Sequence, residues 1–192
     1  MAKKQEFKPD KPQSSWLSKL HLTELQRKAL LKWILYALVL LTLSVLQDVV
    51  LCRFRIFGAT TELVPCGIFL ICIIVGTEQG CIFALISSLL YLFSGTAAGP
   101  YSMVFITALS IGICILRQSF LQKGFPAAML CVALAMLLYE LLNFAFGLFL
   151  DVTLPGRIGA FFLTAGMSLV VAPVLYPLFL SIGSIGGDAW KE

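Results

Sequence analysis

Charge is scarce in this chain beyond its N-terminal leader. Between positions 33 and 187 the sequence has only five basic and five acidic residues, and charged residues make up 12% of all 192. Soluble domains typically have about 25% charged residues. With 59% hydrophobic residues and a mean hydropathy of +0.95, the chain has more apolar surface than a soluble domain of this size can bury. The composition therefore excludes an ordinary soluble domain and indicates an integral membrane protein.

Metal-ligating residues are also scarce. His21 is the single histidine and lies in the polar leader, and none of the six cysteines forms a CxxC pair. A metal site needs clustered ligands at fixed spacing, so we predict no metal and no cofactor. Cysteine inside an apolar segment behaves as a small hydrophobic residue, and we expect packing roles for these cysteines rather than disulfides. They are Cys52, Cys66, Cys72, Cys81, Cys114 and Cys131.

The sequence lacks the motifs of common enzymes. It has no GxSxG, no P-loop, no HExxH, no paired aspartates on one helix and no Ser/His pair in its apolar segments. Channels and ion pumps usually have several intramembrane ionisable residues, whereas only Glu140 lies deep in a segment here. We therefore predict a non-enzymatic protein that acts within the bilayer or through contacts with partners.

Eight of the fourteen lysines and arginines fall within the first thirty-two positions. This concentration is typical of a topological signal rather than of a nucleic-acid-binding face, and no nucleic acid partner is predicted. Residues 1–29 are predicted to be a basic, cytoplasmic and disordered arm. Positions 16–28 alternate apolar and basic residues, which fits either a short interfacial helix or a solvated leader. Thr23 and Gln26 fit a capping box, so the first long helix is expected to begin at Thr23.

Six apolar segments follow between residues 30 and 182, and they predict an all-α, polytopic bundle of about six transmembrane helices. The second and third are shorter than the roughly 20 residues that cross a hydrocarbon core, so they must borrow flanking residues or form a shallow hairpin. Five crossings are the alternative. Residues 183–192 are predicted to be a short cytoplasmic tail. The predicted segments are 33–51, 63–75, 80–93, 101–116, 126–150 and 158–182.

The basic residues also predict the orientation of the bundle. With six crossings and the N-terminus inside, the cytoplasmic segments contain eleven basic residues, whereas the opposite side has three, Arg53, Arg55 and Arg157. Because positive charge is retained on the cytoplasmic side, both termini are predicted to be cytoplasmic.

Glu140 is the first candidate functional residue. It lies near the middle of the fifth segment, where an ionisable group costs at least about 2.5 kcal/mol unless it is shielded. Asn143 shares its helix face, and Tyr139 adjoins it, so the three residues are expected to form a polar patch that points into the bundle. One hypothesis is a binding surface or buried polar lock. The other is a protonated carboxylic acid that hydrogen-bonds to a neighbouring helix.

Charged residues at the end of the first segment form a second candidate site. Asp48 is followed within two turns by Arg53, and we expect these side chains to pair as a structural anchor at the interface.

The order of several short sequence features resembles the rod shape-determining protein MreD family of bacterial membrane proteins. Leu46 and Gln47 end the first segment and are followed by the RFRIFG link at 53–58. Glu62 then opens the second segment, where the family typically has an acidic residue. The GTEQG turn at 76–80 separates two brief apolar helices.

Two further stretches extend this resemblance through most of the membrane part. LLYLFSGTAAGPYSM at 89–103 looks like the family's helix end, glycine-containing turn and new helix. LLYEL at 137–141 places Tyr139 and Glu140 at the family's Tyr-Glu position. One position departs from the family: an aspartate is common about where Tyr91 stands, so no role of that acid transfers.

The resemblance implies a non-enzymatic subunit of the bacterial elongation (rod) complex, which controls cell shape and lateral peptidoglycan synthesis from the cytoplasmic membrane. The implied partner is MreC, a single-span protein with an extracytoplasmic coiled coil. Through MreC the implied partners are the actin-like MreB filament, the SEDS glycan polymerase and its penicillin-binding transpeptidase. A helical bundle with short loops would bind them by lateral helix contacts, and the expected contact residues are Glu140, Tyr139, Asn143 and Glu62.

An alternative belongs to another functional class. MreD-like proteins are similar in fold to the substrate-binding S components of energy-coupling-factor vitamin transporters, whose partners are two ATPases and a coupling subunit. The first segment lacks the Ala-xxx-Ala pair that S components present to the coupling subunit, and the outer loops contain few polar residues for a vitamin pocket. A third possibility is a small membrane protein that binds a lipid or lipid-linked ligand.

Overall fold

The computed structural model describes residues 24–53, 58–119 and 124–186, and within these ranges the chain forms six α-helices and no strand. Short 3₁₀ turns follow α1 and flank α6 at Leu51–Arg53, Pro155–Arg157 and Ser184–Gly186. The helices are α1 Glu24–Val49, α2 Leu63–Val75, α3 Thr77–Phe93, α4 Tyr101–Ser119, α5 Phe125–Phe149 and α6 Ile158–Gly183.

These helices confirm the prediction of an all-helical, membrane-type bundle. Helices α1, α4, α5 and α6 are long and apolar enough to cross a membrane, whereas α2 and α3 are shorter, as their sequences indicate. Helix α1 already includes residues that we assigned to the arm, because it begins at Glu24. Residues 24–28 of the predicted interfacial helix belong to α1, and its remainder, the cap at Thr23 and most of the tail at 183–192 lie outside the described residues.

Helix α2 lies at the centre of the bundle. Its sequence, LVPCGIFLICIIV, has no charged residue and no polar face, so every side of the helix can pack against apolar neighbours. Every residue from Leu63 to Ile74 is buried, and α2 packs against each of the other five helices. The outer helices instead present large apolar side chains to their surroundings, for example Leu130 and Val170, as expected for surfaces that contact lipid.

Successive helices run in opposite directions, so the described links gather at two ends of the bundle. The end with the α2–α3 link also has the start of α1 and the last turn of α4; we call it the basic end, and its described basic residues are Arg27, Lys28, Lys32 and Arg117. The opposite end has the α1–α2, α3–α4 and α5–α6 links, with Arg53 and Arg157 as its described basic residues. We call it the cavity end.

Gly76 makes the turn from α2 to α3 at the basic end. Its φ of 107° lies in a region that residues with a Cβ rarely adopt, and a Cβ there would overlap the guanidinium of Arg117. Nearby, the Cys114 thiol lies 3.6 Å from the carbonyl oxygen of Gly76. The chain can therefore reverse in one residue with α4 packed closely against the turn.

Candidate functional site

Helix α2 begins among other helices, and side chains from α1 and α6 satisfy its first backbone N–H groups. The Gln47 Oε1 atom accepts hydrogen bonds from the N–H groups of Leu63 at 2.8 Å and Val64 at 3.1 Å. The Ser168 hydroxyl accepts from the N–H of Glu62 at 2.8 Å. A helix start away from water needs such partners, because unpaired N–H groups are costly in an apolar environment. Gln47 and Ser168 thereby fix the position of Glu62.

A cluster of polar side chains surrounds this helix start. We call it the polar cluster, and its members are Glu62, Tyr91, Tyr139, Glu140 and Asn143. The hydroxyls of Tyr91 and Tyr139 lie beside the Glu62 carboxylate, and Glu62 and Glu140 are close enough to interact electrostatically. Gln47 Nε2 donates to the Tyr91 hydroxyl at 3.3 Å. The cluster thus joins α1, α2, α3 and α5.

Many atoms of the polar cluster are buried without a hydrogen-bond partner. Four of the six such side-chain atoms in the described part of the chain belong to it: Glu62 Oε2, Tyr139 OH, Glu140 Oε1 and Asn143 Nδ2. Asn143 also accepts a long hydrogen bond of 3.4 Å from Ser102. Buried polar atoms are paired in most proteins, since an unpaired one costs about 1–3 kcal/mol. Their concentration at one place marks the polar cluster as the candidate functional site.

A cavity of about 250 Å³ opens above Glu62 at the cavity end. The carboxylate of Glu62 forms part of its wall, beside hydroxyl and amide groups of the α1–α2 and α3–α4 links. We call it the Glu62 cavity. Its described polar lining residues are Gln47, Cys52, Thr60, Thr61, Glu62 and Thr96.

Glu140 faces a different opening, a narrow cleft between α5 and α6. The residue is only 4% exposed, and the cleft around it is otherwise apolar and aromatic. The other residues of this cleft are Leu137, Leu141, Phe144, Ile158, Phe161 and Phe162. We call it the Glu140 cleft. Because both helices expose large apolar side chains around it, the cleft opens towards the lipid-facing side of the bundle.

The structure brings together four of the six site residues predicted from sequence, Glu62, Tyr139, Glu140 and Asn143. It does not support the predicted anchor between Asp48 and Arg53. No ion pair joins these two residues within the described ranges: Asp48 Oδ1 is buried without a partner, and Arg53 is exposed. An exposed ion pair contributes little, so solvation of Arg53 competes well with pairing.

Sequence reasoning missed the residues that organise the site. Gln47 and Tyr91 were noted only in the family resemblance, and Ser168 was not predicted as a site residue. A glutamine at the end of an otherwise apolar segment is the one local sequence signal for Gln47. Ser168 and Tyr91 gave no local sequence signal, because their contacts join residues that are far apart in the chain. The separation is 106 residues for Glu62–Ser168 and 44 residues for Gln47–Tyr91.

The chemistry available here is hydrogen-bond acceptance and charge attraction. The polar cluster has two carboxyl groups and two phenols, and no basic side chain lines the described wall of the Glu62 cavity. Within the described ranges no group of three or more His, Cys, Asp or Glu residues could hold a metal ion. The site therefore suits a partner or ligand that brings hydrogen-bond donors or positive charge.

Comparison with family models, curated proteins and solved structures found no match for this chain. The fold and site thus define a helical bundle with four helices able to span a membrane and a polar cluster at its centre.

Proposed function

We propose that the protein is a non-enzymatic membrane subunit of the bacterial elongation complex, with a role like that of MreD in cell shape and lateral peptidoglycan synthesis. The order of sequence features that resembles this family supports the proposal. In this role the protein lies in the cytoplasmic membrane with both termini inside. It binds the single transmembrane helix of an MreC-like protein, and through it the MreB filament, the SEDS polymerase and the penicillin-binding transpeptidase.

The observation that carries this proposal is the Glu140 Oε1 atom, which is buried without a partner behind a cleft of about 10 Å³ that opens towards lipid. Lipid tails offer no hydrogen-bond donor, so the oxygen can be satisfied from this side only by another polypeptide or a polar lipid group. A partner helix with a donor side chain would pair the carboxyl group once the apolar side chains that cover it move aside, because the cleft itself holds only about 10 Å³. Interhelical hydrogen bonds of this kind contribute about 0.6–2 kcal/mol in membranes.

Two larger grooves on the surface are less suited to a specific partner. One of about 520 Å³ lies between α1 and α3, and one of about 470 Å³ lies between α1 and α6. Their linings are almost entirely apolar, and none of the unpaired buried atoms of the described chain belongs to them. Acyl chains fill such surfaces without any protein contact, so we assign both grooves to lipid.

Co-purification tests the proposal. The full chain with a C-terminal tag is extracted gently from its native membrane, and associated proteins are quantified by mass spectrometry. We expect MreC and the elongation enzymes to be recovered with the unmodified protein. Glu140→Leu removes the acceptor and should lower recovery of MreC about tenfold, which corresponds to the upper range for one interhelical hydrogen bond.

Two controls make this result specific. Glu140→Gln keeps an acceptor oxygen and should retain most of the MreC, and Leu130→Ala alters a residue of α5 that is 70% exposed and lies outside the Glu140 cleft. All variants must elute as the same monodisperse species. Absence of MreC from the unmodified protein, or full recovery with Glu140→Leu, would refute the scaffold role as proposed.

A second candidate function is favoured by one observation, the Glu62 cavity. The sequence suggested too few polar groups for a small-molecule pocket, yet side chains from separate links converge around this cavity. A substrate-binding S component of a vitamin transporter needs such a pocket. The same purification distinguishes this candidate, because an S component would bring with it two ATPases and a coupling subunit.

A further inference from the structure

The Glu62 cavity has hydrogen-bonding groups that the protein itself leaves unused. Glu62 lines the cavity, and its carboxylate has about four acceptor positions, of which the two phenols beside it can fill at most two. Thr61 is only 5% exposed, also lines the cavity, and its hydroxyl makes no hydrogen bond in the described part of the chain. By contrast, Gln47 is engaged by α2 and Tyr91, and Thr96 by Ser94 at 2.8 Å. The free groups are therefore one carboxylate and neighbouring hydroxyls, on the same wall.

The charges around this wall favour a cation. Glu140 lies close enough to Glu62 to interact with it, and two carboxyl groups so placed favour either proton uptake or a nearby positive charge. No described residue that lines the cavity is basic. Arg53, next in sequence to Cys52 of the wall, is exposed to solvent, where its charge is screened.

Size and ligand type narrow the class of cation further. A volume of about 250 Å³ equals roughly eight molecules of liquid water, which admits a small organic molecule. A metal ion is a poor fit, because no group of three His, Cys, Asp or Glu residues exists in the described ranges. The Glu62 carboxylate that lines the cavity has acceptor positions left for a ligand, and a primary ammonium has three donors.

We propose that the Glu62 cavity binds a small organic molecule with a primary ammonium group, which contacts Glu62 while hydroxyl groups of the ligand contact Thr60 and Thr61. This inference stands apart from the scaffold role, since it concerns the isolated protein without any partner. In a scaffold the ligand would act as an effector next to the polar cluster, and in a transporter component it would be the substrate.

Cys52 provides a built-in reporter, because it is a free thiol in the wall of the same cavity. The full chain in lipid nanodiscs is treated with 2-aminoethyl methanethiosulfonate, which is cationic, or with the anionic 2-sulfonatoethyl reagent. The rate at which each reagent labels Cys52 is measured by peptide mass spectrometry. It is then divided by the rate at which the same reagent labels a small uncharged thiol compound in solution. Because a negative cavity concentrates cations, the normalised cation-to-anion ratio should be at least about ten.

Matched variants assign the effect to the cavity. Glu62→Gln should lower the ratio several-fold, whereas Glu78→Gln, the same change at an exposed residue of the basic end, should leave it unaltered. A ratio near one, a preference for the anion, or a Cys52 that reacts only after unfolding would overturn the proposal.

A competition experiment distinguishes a specific ammonium-binding site from a cavity that merely has a negative electrostatic potential. Ethanolamine in millimolar excess should slow the cationic labelling of Cys52, and ethylene glycol, which replaces the ammonium by a hydroxyl, should not. Equal effects of the two compounds, or no protection by ethanolamine, would show a negative potential without an ammonium site and would overturn the proposal. None of these outcomes depends on MreC, so they remain distinct from failure of the scaffold role.

Discussion

At the scale of single residues, two buried tyrosines show how unevenly hydrogen bonds are distributed in this protein. Tyr36 and Tyr139 are both fully buried. The Tyr36 hydroxyl donates to the carbonyl oxygen of Phe179 at 3.1 Å, whereas the Tyr139 hydroxyl lies beside Glu62 and Asn143 without making a hydrogen bond of good geometry to either. A stable core would rarely keep an unpaired hydroxyl, so its presence beside Glu62 points to function rather than to stability.

The two tyrosines form a matched pair for mutation. Tyr36→Phe removes the hydrogen bond to Phe179 and should lower the free energy of unfolding by about 1 kcal/mol. Tyr139→Phe removes an unpaired hydroxyl and should leave stability unchanged or raise it. Thermal unfolding in one detergent measures both, with an expected fall in Tm of about 2–4 °C for Tyr36→Phe alone. Equal losses for the two variants would show that Tyr139 is satisfied in the folded protein.

At the scale of secondary-structure elements, α2 is the helix on which the site depends. It is short, it is covered on all sides, and its first N–H groups are satisfied by other helices rather than by its own N-cap, Glu62. Glu62 is consequently free to direct its carboxylate towards the cavity and the two tyrosines. The position of the candidate site thus follows from the position at which α2 begins.

This dependence predicts a large effect of Gln47→Met. Methionine keeps the length of the side chain but cannot accept the hydrogen bonds of Leu63 and Val64, and each buried N–H left unpaired costs about 1–3 kcal/mol. We expect a clear loss of thermal stability and a changed labelling rate at Cys52. Leu46→Met, at the preceding and exposed position, is the control and should be nearly neutral. A neutral Gln47→Met would mean that α2 does not need this cap.

At the scale of the whole molecule, charge is distributed unequally between the two ends. The described basic residues are twice as frequent at the basic end, with Arg27, Lys28, Lys32 and Arg117, as at the cavity end, with Arg53 and Arg157. The positive-inside rule would place the basic end in the cytoplasm and the Glu62 cavity on the opposite side. A ligand of the cavity would then arrive from outside the cell.

Reporter fusions test this orientation. A fluorescent protein that matures only in the cytoplasm should be bright at the C-terminus and dark when inserted after Val152 in the α5–α6 link. Alkaline phosphatase, which is active only outside the cytoplasm, should show the reverse pattern. Fluorescence from the Val152 insertion together with phosphatase activity at the C-terminus would show that the bundle has the opposite orientation. The cavity would then face the cytoplasm.

The helices themselves were predictable because their signals are local. Apolar segments bounded by glycine, proline and polar residues mark helix ends, and the predicted second segment matches α2 at both ends. Glu140 also stands out without any structure, as an acidic residue deep in an apolar segment, whereas Glu62 was identified through the family resemblance. The predicted pairing of Asp48 with Arg53 is not found, because nearness in sequence does not decide whether a partly buried carboxylate and an exposed guanidinium meet.

The sequence alone determined that this is a helical membrane-type protein with about six apolar segments and few charges within them. Only the tertiary structure decided that the least polar helix is the central one, that Gln47 and Ser168 satisfy its start, and that Glu62 and Glu140 face two different openings. The physical reason is the distance along the chain over which each interaction acts. Hydropathy and turn formation act over a few residues, whereas the site is built by packing between helices far apart in the chain.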